Sequence, residues 1–275
     1  MIDYPCAKIN LGLNIVNKRP DGYHNLETVF YPIRLCDKIE INERKYSQQH
    51  KEPCLLEING MEINGSTQDN LVIKAYNKIK KEYPQLPDIT VSLTKNIPTQ
   101  AGMGGGSSDC AFTMTMLNRM FRLNITTTQL QKHAAELGAD CAFFINAVPA
   151  FATGIGEKLT PIPLDLSKYT FGIVKPNVAI STKEAFANVT PTIPQKCCKD
   201  IVMQPMETWK DELINDFEQS IIPQHPEINE IKQELYRMGA VYSAMSGSGS
   251  AVFGIFRKKP ENLDNIFKGY FTAII

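Results

Sequence analysis

Residues 98–108 read PTQAGMGGGSS, and this glycine-rich stretch decides how the rest of the chain is interpreted. Four glycines within the five positions 102–106 let backbone N–H groups converge without obstruction from β-carbons. The apolar residues that follow recur at helical spacing: Cys110, Met114, Leu117 and Phe121. A helix N-terminus at the end of the glycine run favours an anion, because its N–H groups are unpaired and its dipole is positive there. The stretch therefore predicts a phosphate-binding loop; the alternative is a flexible glycine turn with serine caps.

The loop is not a Walker A loop, because the pattern GxxxxGK[ST] is absent. Asp109 follows it, and an aspartate in the first helical turn simply complements the helix dipole, so a structural role is expected there. The residues predicted to form the phosphate cradle are Pro98, Thr99, Gln100, Ala101, Gly102, Met103, Gly104, Gly105, Gly106, Ser107 and Ser108.

A second glycine loop, Met245 to Ser250, lies between two predicted strands, Val241 to Met245 and Ala251 to Phe256. A dinucleotide fingerprint should open a helix, and a serine hydrolase should show a GxSxG elbow; the sequence has neither here. Taken alone, the loop is best explained as a tight hairpin.

The N-terminal segment Ala7 to Val16 alternates as a strand. Its apolar face carries Ile9, Leu11, Leu13 and Ile15, and its polar face carries Lys8, Asn10, Gly12 and Asn14. An ammonium and an amide two residues apart are usual on a solvated strand face, but they can also line a cleft. A turn at Pro20-Asp21-Gly22 precedes Tyr23 and His24.

Asp140 follows the third predicted helix, which Thr126 and Gln129 can open as a capping box and which ends near Gly138. A buried acid must be hydrogen-bonded, ion-paired or functional. The local sequence leaves both a helix N-cap and a catalytic base open for Asp140.

The bulk composition is that of an ordinary globular protein: 275 residues, 43% hydrophobic and 21% charged. Lys plus Arg equals Asp plus Glu at 29 each, which gives no net field for nucleic acid or membrane. The seven cysteines form no CxxC pair and the four histidines are scattered, so we expect reduced thiols in a cytoplasmic protein and no metal site. The first five residues lead directly into the patterned strand, so we expect no signal peptide. No apolar stretch approaches the roughly 20 residues of a membrane span.

Helices and strands mix without a regular βαβ rhythm, which predicts an α+β fold. The composition turns to Pro, Ala and Gly near residues 148–156. We therefore predict two domains, 1–152 and 153–275.

Three segments in this order resemble the three motifs of the GHMP kinases: the first strand, the glycine run and the second glycine loop. The run Arg19-Pro20-Asp21-Gly22-Tyr23-His24 is similar to the branch that phosphorylates a cytidine-diphosphate-linked methylerythritol in the non-mevalonate route to isoprenoids. The resemblance spans nearly the whole chain. It implies a two-domain fold, with an N-terminal ribosomal-protein-like domain and a C-terminal ferredoxin-like α/β sandwich.

The resemblance also implies roles for individual residues. Asp140 would be the base for the acceptor hydroxyl, with Lys8 as its charged neighbour, and residues 98–108 would bind ATP. The acceptor would be held by Asn10, Tyr23, His24, Phe30 and Phe186, although Phe186 on its own would be interpreted as core packing. Mg²⁺ would arrive with ATP, since no acidic residue suggests a dedicated site.

Two departures from the family pattern fall in the ATP loop: Gln100-Ala101 replaces frequent glycines, and Met103 stands where leucine is usual. The expected partner is a small molecule, without nucleic acid or membrane, and the expected state is a monomer or weak homodimer. The alternatives are another GHMP kinase with a different acceptor and a non-catalytic nucleic-acid-binding module; a serine hydrolase is weaker still.

Overall fold

The computed structural model describes residues 1–44, 52–63 and 65–275. The strands in these residues are β1 (Ile2–Asp3), β2 (Cys6–Lys18), β3 (His24–Cys36), β4 (Lys38–Glu43), β5 (Cys54–Gly60), β6 (Ile89–Lys95), β7 (Ala150–Thr153), β8 (Lys158–Pro161), β9 (Thr170–Lys175), β10 (Tyr242–Met245), β11 (Val252–Phe256) and β12 (Phe271–Ile274). The α-helices are α1 (Leu71–Glu82), α2 (Gly105–Met120), α3 (Thr127–Leu137), α4 (Cys141–Phe144), α5 (Thr182–Ala187), α6 (Cys198–Ile201), α7 (Trp209–Glu212), α8 (Phe217–Ile221), α9 (Pro226–Arg237) and α10 (Leu263–Ile266). The mixture confirms the α+β prediction.

By packing, the chain forms two compact units that interleave along the sequence. Unit 1 comprises residues 1–7, 34–99 and 104–147, and unit 2 comprises residues 8–33, 100–103 and 148–275. The glycine-rich stretch therefore contributes residues to both units. The predicted division into domains 1–152 and 153–275 stays a prediction, because packing groups the first two long strands with the C-terminal half.

Unit 1 is a four-stranded sheet, in the order β1-β4-β6-β5, with helices packed on it. β5 runs parallel to β6, and β4 runs antiparallel to it. Local signals define the helices: the Asn70 side chain accepts the N–H of Val72 at the start of α1, and Thr126 and Gln129 form the predicted capping box of α3. The resulting core is apolar and tightly closed, with Tyr76 and Leu117 fully buried.

Unit 2 contains two four-stranded sheets, in the orders β2-β3-β7-β8 and β10-β11-β9-β12. β9 pairs antiparallel with both β11 and β12, so it is a central strand, and its residues Ile173 and Val174 are fully buried. Helix α9 presents Ile228, Ile231 and Leu235 to the core at helical spacing.

None of the helices in the described ranges is long and apolar enough to cross a membrane.

Candidate active site

The polar face of β2 is buried, so its interpretation as a solvated strand face is wrong. Lys8 is 3% exposed, Asn10 2% and Asn14 5%. A buried ammonium and amide need polar partners to offset the loss of hydration. The structure supplies them within unit 2.

A chain of hydrogen bonds fixes the two predicted site residues of β2. The Nζ of Lys8 donates to Oδ1 of Asn10 at 2.6 Å, and Nδ2 of Asn10 donates to Oγ1 of Thr28 at 2.9 Å. Thr28 in turn donates to the carbonyl oxygen of Gly12 at 2.5 Å. The ammonium of Lys8 also lies 4.9 Å from the centre of the Phe30 ring, within cation–π distance. Lys8 and Asn10 are therefore oriented before any ligand binds.

Phe30 is 2% exposed and lies beneath Lys8, so in this structure it supports the lysine rather than presenting a face to solvent. Its predicted contact with the acceptor stays a prediction.

His24 and Phe186 lie together in unit 2. Their rings stack with centroids 4.8 Å apart and planes inclined by 15°, and Phe217 meets the Phe186 ring edge-on at 4.8 Å. Burial, helped by the charge of Lys18, lowers the pKa of His24, so its imidazole is neutral near pH 7. Tyr23, by contrast, is 61% exposed. The structure thus joins two of the predicted acceptor-binding aromatic residues into one pair.

In unit 2, the middle of the glycine-rich stretch packs on the second glycine loop. The hydroxyl of Ser246 donates to the carbonyl oxygen of Gly102 at 3.0 Å, and a β-carbon at Gly102 would lie 1.8 Å from the carbonyl oxygen of Ser246. The N–H of Lys8 donates to the carbonyl oxygen of Met103 at 3.0 Å. The hairpin interpretation of the second loop is therefore incomplete: the loop also braces the phosphate-loop backbone.

Gln100 has a φ of +50°, in the left-handed region that glycine adopts at least cost. This explains in physical terms why glycines are frequent at this point of the family's loop. Here the glutamine accepts the conformation, and its carbonyl oxygen receives the N–H of Ser250 at 3.3 Å.

In unit 1, the rest of the stretch opens α2 as predicted. Gly104 takes a left-handed conformation at the N-cap, with φ +69°, and no side chain within the described residues caps the helix. The first-turn N–H groups of a helix need acceptors from outside it. Binding of an anion at this end of α2 stays a prediction.

The segment of Asp140 meets the glycine run within unit 1. Cys141, the residue after Asp140, is hydrogen-bonded to Cys110 and to Ser107; these bonds lower the pKa of its thiol, against the effect of burial. Asp140 itself is the half-buried N-cap residue of α4, but its side chain makes no capping hydrogen bond. The carboxylate is therefore not used as a cap, which was one of its two predicted roles. Ser108 is fully buried, and its hydroxyl has no hydrogen-bond partner among the described residues.

A buried charge cluster behind the glycine run was not predicted. Lys95 at the end of β6 donates to Asp37 and, at 2.6 Å, to Asp109, and all three side chains are at most 3% exposed. Asp37 also accepts the N–H groups of Asn96 and Ile97 at 2.6 and 2.8 Å. Asp109 lies beyond the first turn of α2, so its expected role beside the helix dipole is wrong: it pairs with Lys95 instead.

Burial raises the pKa of Asp109 to about 7, despite the opposing effect of Lys95. Burial lowers the pKa of Lys95, but the two carboxylates outweigh it and the pKa is raised. One signal in the sequence could have revealed the cluster: Lys95 has the same parity as the buried Ile89, Val91 and Leu93, so the alternation of β6 places it on the core face.

Comparisons with known proteins identify the family of the chain. The model of the GHMP kinases N terminal domain matches residues 70–150, and the model of the GHMP kinases C terminal domain matches residues 204–270. A Bacteroides thetaiotaomicron protein named 4-diphosphocytidyl-2-C-methyl-D-erythritol kinase is 55% identical over 93% of this chain and 92% of its own length. The chain belongs to the GHMP kinase family.

A Bacteroides fragilis relative of this GHMP kinase bears the same name and is 52% identical over 93% of this chain and 92% of its own length. A crystal structure of 4-(cytidine 5'-diphospho)-2C-methyl-D-erythritol kinase superposes with a TM-score of 0.81 at 26% identity, covering 100% of this chain and 98% of that one. The family resemblance, the two-domain α+β GHMP fold and the expectation of a small-molecule kinase are thereby confirmed. The nucleic-acid-binding alternative is not favoured.

Proposed function

We infer that this GHMP kinase transfers the γ-phosphoryl group of ATP to the 2-hydroxyl of 4-diphosphocytidyl-2-C-methyl-D-erythritol, in the non-mevalonate route to isoprenoid precursors. The observation that carries the inference is the 55% identity, over 93% of the chain, to a protein named for that reaction. The prearranged polar face of β2, with Lys8 bonded to Asn10, supports it from the structure.

On the donor side, the uncapped first turn of α2 receives the phosphates of ATP. Its N–H groups and positive dipole end attract the polyphosphate, and the left-handed Gly104 lets the backbone approach it. Pro98 to Met103 shape the remainder of the loop. Mg²⁺ comes with the nucleotide and offsets the charge on its phosphates.

On the acceptor side, Asp140 acts as the base and Lys8 as the stabilising cation. The acceptor is a tertiary alcohol that is far from ionised at neutral pH, so a carboxylate within about 3 Å of the hydroxyl accelerates the transfer. The hydroxyl proton passes to Asp140, the acceptor oxygen forms the new O–P bond, and the bond between the γ-phosphorus and ADP breaks. The Lys8 ammonium balances the negative charge on the transferred group, and the bond to Asn10 fixes its direction.

The His24–Phe186 pair forms the cytidine subsite, together with the exposed Tyr23. Aromatic rings suit a nucleobase because each offers a flat face with few rotors to immobilise. Phe217 packs edge-on against Phe186 and fixes its ring, so the ligand does not have to order this side chain when it binds. We further propose that the enzyme works in the cytoplasm as a monomer or weak homodimer.

A panel of alcohols tests the assignment: ATP-Mg²⁺ is supplied with the cytidine-linked methylerythritol, homoserine or mevalonate, and ADP and phosphorylated product are both measured. Turnover is expected with the cytidine-linked acceptor alone. Equal activity on homoserine or mevalonate would contradict it.

The role of Asp140 is tested by Asp140→Asn, which keeps the shape but removes the base. We expect kcat to fall by roughly 10²-fold or more while ATP affinity stays nearly unchanged. Asp200→Asn, at an exposed position of α6, is the matched control and should keep wild-type turnover. Full activity in the Asp140 variant would remove this residue from the base role.

A further inference from the structure

Asn215 is a buried amide that no sequence motif singled out. It precedes α8, is 4% exposed, and uses both ends of its side chain. Its Nδ2 donates to the carbonyl oxygens of Met245 and Gly247, both at 2.8 Å, and its Oδ1 accepts the N–H of Phe217 at 3.0 Å. One side chain therefore holds two carbonyls of the second glycine loop.

The backbone beside Asn215 is paired with β2. The N–H of Leu13 donates to Ile214 at 2.9 Å, and the N–H of Asp216 donates back to Leu13 at 2.8 Å, which makes a parallel bridge between Leu13 and Asn215. The carboxylate of Asp216 accepts the N–H of Ile15 at 2.7 Å. Asn215 is thereby fixed to the strand that carries Lys8 and Asn10.

The loop that Asn215 holds packs against two parts of unit 2: Asn10 of β2 and the glycine-rich stretch at Gly102. A β-carbon at Gly247 would lie 3.1 Å from Oδ1 of Asn10, and Ser246 both donates to Gly102 and lies against it. A second anchor supports the start of the loop: Glu218 accepts the N–H of Met245 at 2.8 Å. A shift of the loop would therefore move the surroundings of Asn10 and of the phosphate-loop backbone together.

We propose that Asn215 is a positioning residue for phosphoryl transfer: it fixes the second glycine loop to β2 and so holds Asn10 and Gly102 in register. It acts through the loop, not on a substrate. Two carbonyl oxygens converge on one nitrogen, and a side-chain NH₂ supplies the two donors that this arrangement requires. The proposal deepens the proposed function and rests on it for the identity of the acceptor.

Asn215→Asp removes both donors and keeps the shape of the side chain. It sets a carboxyl oxygen against two carbonyl oxygens, so the loop must move away. Since a displacement of about 1 Å can cost 10²-fold in rate, we expect kcat to fall roughly 30- to 100-fold, with the KM for ATP changed less than about 3-fold. We also expect more ADP than phosphorylated acceptor, because a misplaced acceptor lets water compete for the phosphoryl group.

The matched control is Asn118→Asp. Asn118 lies near the end of α2, and its side chain donates to the carbonyl oxygen of Ile125 at 2.9 Å and accepts the N–H of Ile125 at 3.0 Å. Like Asn215, it therefore uses both its donor and its acceptor on the backbone, but it stabilises a different turn. This variant should lose thermal stability while the ratio of ADP to phosphorylated acceptor stays at the wild-type value.

The experiment measures kcat, both KM values, the product ratio and amide hydrogen exchange for the wild type and both variants, at a temperature where circular dichroism shows them folded. Faster exchange in residues 245–250 and 100–103 of the Asn215 variant, with the raised product ratio, supports the proposal. A kcat within 3-fold of wild type and an unchanged ratio would overturn it. If Asn215→Asp does not fold, Asn215→Ser, which keeps one donor, must show the same changes at smaller size.

The exchange measurement separates the two proposals. If the wild type does not phosphorylate the cytidine-linked alcohol, the proposed function fails, while the exchange of the two loop segments still decides whether Asn215 positions them. If the wild type is active and the Asn215 variant matches it, only the positioning role fails.

Discussion

The glycine run at the start of α2 and the glycine loop at Met245–Ser250 both bring backbone close to other groups, but different chemistry anchors them. Behind the first lie three buried charges, with Lys95 between Asp37 and Asp109. Behind the second lies the neutral amide of Asn215, bonded to two carbonyl oxygens. With a charged anchor, the stability of the protein depends on pH and on the presence of every charged partner. With an amide anchor, it depends only on how many hydrogen bonds the side chain can donate.

The substitution Lys95→Met disrupts the charged anchor, because it leaves the two buried carboxylates without their cation. Removing one partner of a buried ionic cluster costs about 3–5 kcal/mol, and we expect a loss of that size in the free energy of unfolding, measured by urea denaturation. Lys81→Met, at an exposed position of α1, is the control and should change stability by less than about 0.5 kcal/mol. A loss below about 1 kcal/mol for Lys95→Met would mean that the cluster is not an anchor.

The substitution Gly102→Ala tests the contact between the two loops. Gly102 has φ +68°, and the added β-carbon would lie 1.8 Å from the carbonyl oxygen of Ser246. Conformational strain and overpacking together should cost about 2–4 kcal/mol of unfolding free energy. Gly269→Ala isolates the conformational part, because Gly269 has φ +91° with nothing within 4 Å of a β-carbon. Equal losses in the two variants would show that the close approach to Ser246 carries no energy.

The last test concerns pH and separates the charged anchor from the neutral one. Because the pKa of Asp109 is raised to about 7, the folded protein keeps a proton that the unfolded chain releases near pH 4. The contribution of Asp109 to stability is therefore fully present below about pH 4 and is lost as pH rises to about 7. Asp109→Asn should remove this loss of stability with rising pH.

Urea midpoints of the wild type and Asp109→Asn at pH 5, 6 and 7 check this: the variant should gain relative to the wild type as pH rises. Asp200→Asn serves as an exposed control, whose curve should run parallel to that of the wild type. A parallel curve for Asp109→Asn would contradict the raised pKa.

Elements with local signals could be predicted from the sequence. The capping box of Thr126 and Gln129 and the glycine run before α2 each act within a few residues, so pattern alone located them. The family motifs added the roles proposed for Lys8 and Asp140.

The anchors could not be predicted in the same way, because their partners are far apart in the chain. Lys95 pairs with Asp37, which is 58 residues away in the sequence, and Asn215 donates to Met245, which is 30 residues away. The pattern of β2 left a solvated face and a cleft both open, because nothing near it in sequence shows that Thr28 will receive the Asn10 amide. Only the folded chain brings these donors and acceptors together.

The interleaving of the two units has a consequence for synthesis on the ribosome. Most of β2 and most of β3 belong to unit 2 but, apart from residues 100–103, the rest of that unit begins at residue 148. At roughly 5–20 residues per second, the N-terminal strands wait on the order of ten seconds or more for their partners. During that interval unit 1, whose last residue is 147, can fold, while Lys8 and Asn10 remain hydrated. The polar face of β2 is thus buried late in translation, after helix α2 has been made.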